Sequence, residues 1–136
     1  MVFGTFDALH DGHRDFLHQA KKLGDRLIVV VARDSAIAHV YGKKPGQDEV
    51  DRIAAVLSEG IAEDVVMGHL NEKAQVIAQH KPDIILLGFT QELLVTELNK
   101  KATALGIEHI DIRVGKPHNP EIYPPTGYDN PEVHVN

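Results

Sequence analysis

Two histidines three residues apart, His10 and His13, stand in the run Gly4-Thr5-Phe6-Asp7-Ala8-Leu9-His10-Asp11-Gly12-His13, which joins a short apolar stretch to a helical one. Imidazoles can donate hydrogen bonds to phosphate oxygens, a role closed to aliphatic and carboxylate side chains. If the helix begins near Asp11, a spacing of three lets both rings face one ligand just beyond its first turn. A helix N-terminus adds unpaired N–H groups and positive potential, and Gly12 lets backbone approach closely. Nine histidines in the chain make such a spacing common by chance, so the pair alone decides nothing. Zinc fits poorly, because no third ligand stands at a recognisable interval. The chain has no Cys, which also removes disulfides and thiolate nucleophiles. With 14 Lys and Arg against 20 Asp and Glu, the formal charge is −6 and offers no broad basic face to nucleic acid. A phosphate ligand must therefore be held by a local device.

The elements that position this run follow from periodicity. The chain has 136 residues, 43% hydrophobic and 25% charged, which suits one domain with a buried core. Short β-branched runs at Val2 to Phe6, Arg26 to Ala32, Asp64 to Met67, Asp83 to Leu87 and His109 to Val114 alternate with helical windows. The continuous apolar run from Arg26 to Ala32 is expected to be central and covered on both faces. Asp64 to Met67 and Asp83 to Leu87 look the same, and His109 to Val114 belongs nearer an edge. Helices are expected over Gly12 to Leu23, Asp48 to Glu59, Asn71 to His80 and Gln91 to Leu105. Asn71 to His80 carries Ala74, Ile77 and Ala78 at helical spacing, and in Asp48 to Glu59 the residues Val50, Ile53, Ala54 and Leu57 supply the inward face. Right-handed crossovers then give a single Rossmann-like three-layer α/β/α sandwich on a five-stranded parallel sheet. Residues 1–114 form that domain. Residues 115–136, with Pro117, Pro120, Pro124, Pro125 and Pro131, read as an irregular Pro-rich tail. No apolar run reaches the roughly 18 residues needed to cross a bilayer, and no basic stretch leads an apolar one, so a cytoplasmic protein is expected.

The run FGTFDALHDGH resembles the signature of the cytidylyltransferase-like nucleotidyltransferases, in which an HxGH motif follows a first strand of the form GxFDxLHxGH. The resemblance continues through ARDS at Ala32 to Ser35, GKKP at Gly42 to Pro45 and an acidic helix start with Arg52. It then takes in VVMGH at Val65 to His69 and KPDIILLGFTQ at Lys81 to Gln91, so that it covers about residues 2–114. Within the family the layout is most similar to the archaeal-type FAD synthetases, which transfer AMP from ATP to FMN, with glycerol-3-phosphate cytidylyltransferases next. The resemblance implies that His10 and His13 contact nucleotide phosphates and stabilise the transition state, with Lys43 as a third catalytic group. It implies nucleotide contacts at Gly4, Thr5, Phe6, Gly12, Lys44, Gly88 and Thr90, and acceptor contacts at Asp34, Tyr123 and Thr126. Asp7 would shape the turn or the neighbourhood of a metal. Arg52 is read as a surface residue of its helix.

Two segments depart from the family. Gly88-Phe89-Thr90-Gln91 stands where relatives show an Asp, as in GYDQ, and Glu121-Ile122-Tyr123-Pro124-Pro125-Thr126-Gly127 replaces a Ser/Thr-rich helix start. The chemistry implied is in-line attack by an acceptor phosphate oxygen on the α-phosphorus of a nucleoside triphosphate, with pyrophosphate leaving. Mg²⁺ or another divalent cation is the implied cofactor, with its ligands unassigned. The implied partners are the triphosphate and a small phosphorylated acceptor, without nucleic acid or membrane, and a homodimer is compatible. A cytidylyltransferase acting on glycerol 3-phosphate or a sugar phosphate, and a nucleotide-binding protein without turnover, are the alternatives.

Overall fold

A computed structural model of the chain describes residues 1–68, 73–88, 94–107 and 110–116. The strands are β1 (Val2–Gly4), β2 (Ile28–Val31), β3 (Asp64–Met67), β4 (Ile84–Leu87) and β5 (Asp111–Val114). The helices are α1 (Asp11–Lys21), α2 (Asp34–Tyr41), α3 (Glu49–Ser58), α4 (Lys73–His80) and α5 (Leu94–Ala104). All five strands are parallel, in the order β3-β2-β1-β4-β5, with Val2 opposite both Val29 and Leu86.

Side-chain alternation along each strand explains why these runs are apolar throughout. Val2, Val29, Val31 and Leu86 face α1 and α3, packing with Leu17, Ala20 and Val56. Phe3, Val30, Ile85 and Leu87 face the other way, onto Val76 and Ile77 of α4 and Leu98 of α5. Two cores on opposite faces of one sheet make the expected three-layer sandwich. The chain reverses direction of winding at β1, which neighbours both β2 and β4. Between the carboxyl ends of those strands lies the crevice where open α/β sheets receive ligands.

Four local expectations are corrected. β1 ends at Gly4 rather than Phe6, because Phe6 turns into the left-handed region at φ 53°. β3 is an edge strand with all four residues only half-buried, whereas its apolar sequence resembles that of a covered strand. α2 was not expected. Its fully buried side chain among the described residues is Ile37, and it is only eight residues long, although Asp34 in its first turn and Gly42 at φ 69° after its last are start and stop signals.

The fourth correction concerns α3. Val50 and Leu57, expected to point inward, are 66% and 52% exposed, while Arg52, expected at the surface, is 0% exposed. The buried face runs instead through Arg52 and Val56, four residues apart. Arg52 Nη1 donates to the Thr5 carbonyl at 2.8 Å, Nη2 to Asp34 Oδ1 at 2.6 Å, and Nε to the Gln47 carbonyl at 3.1 Å. These carbonyls lie where β1 leaves the sheet and where α3 begins, and they need donors that an aliphatic residue cannot supply. A guanidinium fork reaches three acceptors at once, and Asp34 offsets its charge.

Asp34 is drawn further into this framework. Its Oδ2 accepts from Glu49 N at 3.2 Å, and its own N–H donates to Glu49 Oε1 at 3.1 Å, so the starts of α2 and α3 cap one another. Replacing Arg52 by Ala should lower the unfolding free energy by about 2 to 4 kcal/mol, since it strands two carbonyls and a carboxylate. Urea denaturation measures this, and a loss under about 0.5 kcal/mol, the range typical of exposed sites, would return Arg52 to the surface reading.

Candidate active site

The residues after β1 build the site. An ideal Cβ on Gly4 would lie 2.7 Å from the Phe6 ring, so glycine is what allows that ring to fold back over the strand. Phe6 is thereby buried, and its ring packs against His13 with centroids 5.6 Å apart. Gly4 and Phe6, both assigned by sequence to the nucleotide, thus support the His13 imidazole from below. Thr5 is buried and its carbonyl is held by Arg52.

His10 is the N-cap of α1, with extended backbone at φ −134° and ψ 179°. Its Nδ1 accepts from Gly12 N at 3.0 Å, and His13 Nδ1 accepts from the His10 N–H at 3.1 Å. The pair forms a reciprocal capping box in which histidines take the places usual for Ser or Thr and Glu or Gln. The two rings stack, centroids 3.9 Å apart and 23° from parallel. Because each Nδ1 accepts from backbone, each neutral ring must carry its proton on Nε2. Capping therefore fixes the tautomer and leaves Nε2–H as the ring donor on both histidines. Gly12 spends its N–H inside this box.

Burial pushes the His13 pKa down to about 4, helped by the neighbouring His10 and Arg14 and opposed by Asp7. His13 is then neutral at physiological pH and acts as a hydrogen-bond donor, not as a fixed cation. Cations near this edge of the sheet include Arg33, which follows β2 and donates to the Gly68 carbonyl, and Lys43 and Lys44, both exposed on the loop between α2 and α3. That loop is joined to the histidine segment through Asp7, whose Oδ2 and Oδ1 accept from Gly46 N at 2.7 Å and Gln47 N at 2.9 Å.

Of the remaining expected residues, Gly88 follows β4 at the same edge and is half-buried. Asp34 has both oxygens engaged with Arg52 and Glu49 N–H, as described above. Thr90, Tyr123 and Thr126 lie outside the described residues. Gly115 and Lys116, at the start of the Pro-rich tail, are fastened to α1: Gly115 is buried, and Gln19 exchanges hydrogen bonds of 2.9 Å with both the N–H and the carbonyl of Lys116. Sequence reasoning missed Arg52 and Gln47. The signal available for Arg52 was its position four residues before Val56, on the face that Ile53 shares in part.

No group of three His, Cys, Asp or Glu side chains among the described residues converges in the manner of a metal cage. Asp7 gives each oxygen to a backbone N–H. The described side chains therefore form no all-protein metal cage; Mg²⁺ is commonly carried by one or two carboxylates together with substrate phosphates. Nor is any helix among the described residues long and apolar enough to cross a membrane.

The His13 environment has a consequence for pH. With the folded pKa near 4 and the ordinary value 6.5, the folded protein binds fewer protons than the unfolded chain between those limits. Its contribution to stability is full above about pH 6.5 and is lost as pH falls toward about 4. The His13 ring resonance should titrate near pH 4 in an NMR series. His13→Gln, which keeps a capping-box acceptor, should flatten that part of the stability profile. Titration near 6.5 would show that the ring is solvated.

Residues 1–120 match the family model described as cytidylyltransferase-like. The FAD synthase of Thermoplasma volcanium is 41% identical over 116 residues, spanning 85% of this chain and 81% of that protein. The FAD synthase of Methanohalophilus mahii is 38% identical over 118 residues, spanning 87% and 82%. Among solved structures, a Thermoplasma volcanium protein described as a lipopolysaccharide core biosynthesis protein superposes with a TM-score of 0.81 at 39% identity, covering 88% of this chain and 96% of its own. A pantoate-beta-alanine ligase from Francisella tularensis shares the fold, with a TM-score of 0.59 at 14% identity over 93% of this chain and 65% of that one. A histidine-capped helix at the switch point of a parallel sheet and this breadth of similarity agree, and the chain belongs to the cytidylyltransferase-like family of nucleotidyltransferases.

Proposed function

We propose that this chain transfers AMP from ATP to FMN, forming FAD and releasing pyrophosphate. The observation that carries the transfer chemistry is the capping box, which leaves the Nε2–H groups of two imidazoles as their ring donors at a helix N-terminus. The choice of FMN and ATP rests on the relatives named FAD synthase. A phosphate oxygen of FMN attacks the α-phosphorus of ATP, a P–O–P bond forms, and the bond to the β-phosphate breaks with its electron pair leaving on pyrophosphate. No covalent enzyme intermediate is required.

The protein's work is alignment and stabilisation of charge that grows on the α-phosphoryl oxygens and the leaving group. His10 and His13 supply preset hydrogen bonds, the start of α1 supplies positive potential, and Lys43 and Lys44 supply formal charge to the phosphates. A neutral His13 suits this role because it donates without having to be protonated. Mg²⁺ would accompany the triphosphate and offset part of its negative charge. Gly88 and Thr90 are proposed to border the nucleotide, and Tyr123 and Thr126 the acceptor.

Pyrophosphate release, measured for ATP and CTP against FMN, glycerol 3-phosphate and sugar phosphates, tests the assignment. Turnover with ATP and FMN alone is expected; turnover only with CTP and a polyol phosphate would replace it with a cytidylyltransferase. His10→Ala should slow turnover by about 10² or more through the missing donor. Its cap is lost as well, so stability should fall by about 1 kcal/mol. His10→Asn separates the two effects, since Asn caps a helix but does not place a donor where Nε2–H stood: it should melt near the parent and still be slow. Replacing Lys43 and Lys44 together by Ala should weaken ATP binding more at low salt than at high salt, as expected for charges facing phosphate across solvent. Equal affinity at every ionic strength would remove both lysines from the site.

A further inference from the structure

The loop bearing Lys43 and Lys44 is held at both ends. It leaves α2 through Gly42, whose left-handed φ of 69° closes that helix, and enters α3 through Asp48, whose side chain caps Asp51 N. Between them, Gly46 and Gln47 are bound to the histidine segment. Asp7 accepts from both of their N–H groups, Ala8 N donates to Gln47 Oε1 at 3.2 Å, and Arg52 joins the Gln47 and Thr5 carbonyls through one guanidinium. Lys43, Lys44 and Pro45 are the only residues between Gly42 and this junction, and Pro45 has a ring-fixed φ.

The backbone on the other side of the junction is bent to suit. Phe6 at φ 53° and Ala8 at φ 50° flank Asp7, both left-handed and neither glycine. Each such residue is held at a cost of order 1 kcal/mol, which the surroundings must offset. This double bend directs the Asp7 carboxylate to the lysine loop while Phe6 turns back under His13.

We propose that Asp7 is a positioning residue for nucleotide binding: by latching Gly46 and Gln47, it sets the reach between the imidazole pair at the start of α1 and the lysine pair on the α2–α3 loop. A triphosphate spans several ångströms, so two sets of donors can act on it together only if their separation is fixed in advance. The carboxylate serves as a charged acceptor for two backbone donors, an arrangement that an amide side chain reproduces poorly. The latch rests on the reading of His10, His13, Lys43 and Lys44 as phosphate-binding groups.

The test is a double-mutant cycle on the full chain, read as the ATP dissociation constant by calorimetry without acceptor. Asp7→Asn should weaken ATP binding about tenfold. In a background carrying Lys43→Ala and Lys44→Ala, the same change should cost less than about twofold, because its effect passes through the lysines. Gln47→Ala, which removes the acceptor for Ala8 N, should show a smaller loss with the same dependence on the lysines, and it serves if Asp7→Asn does not fold. Equal losses with and without the lysines would overturn the latch, as would unchanged affinity in a folded Asp7→Asn. A parent that binds ATP but forms no FAD would overturn the flavin assignment and leave the latch standing on the binding data.

Discussion

A single buried guanidinium joins the segments that bear the candidate site. Arg52 sits where β1 leaves the sheet, and its fork holds the Thr5 carbonyl, the Gln47 carbonyl and the Asp34 carboxylate. Stripping a cation of water is costly, and the attraction of one carboxylate rarely repays it. Here the remaining nitrogens meet backbone carbonyls, that of Thr5 belonging to a buried residue, so one guanidinium serves acceptors from two segments. The result is geometric. The turn after β1, the start of α2 and the start of α3 are tied to one point, and the histidine segment and the lysine loop grow from two of those three.

From this anchor the site is assembled by backbone satisfaction more than by side-chain contact. His10 and His13 cap the helix whose N-terminus they occupy, and capping chooses their tautomer. Burial keeps His13 neutral, while the sheet edge beside it obtains charge from lysines that remain exposed to solvent. Separating neutral, directional donors from solvated cations avoids burying several positive charges together in a chain that is acidic overall. Gly4 acts at one remove: it admits the Phe6 ring, and that ring supports His13.

Much of this was legible in the amino-acid sequence. Five short apolar runs, separated by helical windows, leave few solutions besides a parallel sheet covered on both faces, and alternation of Val29, Val30 and Val31 between two cores is the physical form of that reading. The paired histidines before a helix marked the carboxyl end of β1, because imidazoles at that position can cap the helix that follows whatever the rest of the fold does.

What tertiary structure decided is the orientation of elements whose own sequences are ambiguous. In α3 the apolar residues Val50 and Leu57 suggested one inward face, yet the helix turns Arg52 inward, where the Thr5 carbonyl and the Asp34 carboxylate, 47 and 18 positions away in sequence, accept from its guanidinium. β3 reads as a covered strand and lies at an edge, since strand order depends on crossovers and not on composition. The partners of Asp7 stand 39 and 40 positions along the chain, and no local pattern announces them. Sequence fixes what a residue can bond to; which acceptor or donor is left unsatisfied beside it exists only once the chain has folded.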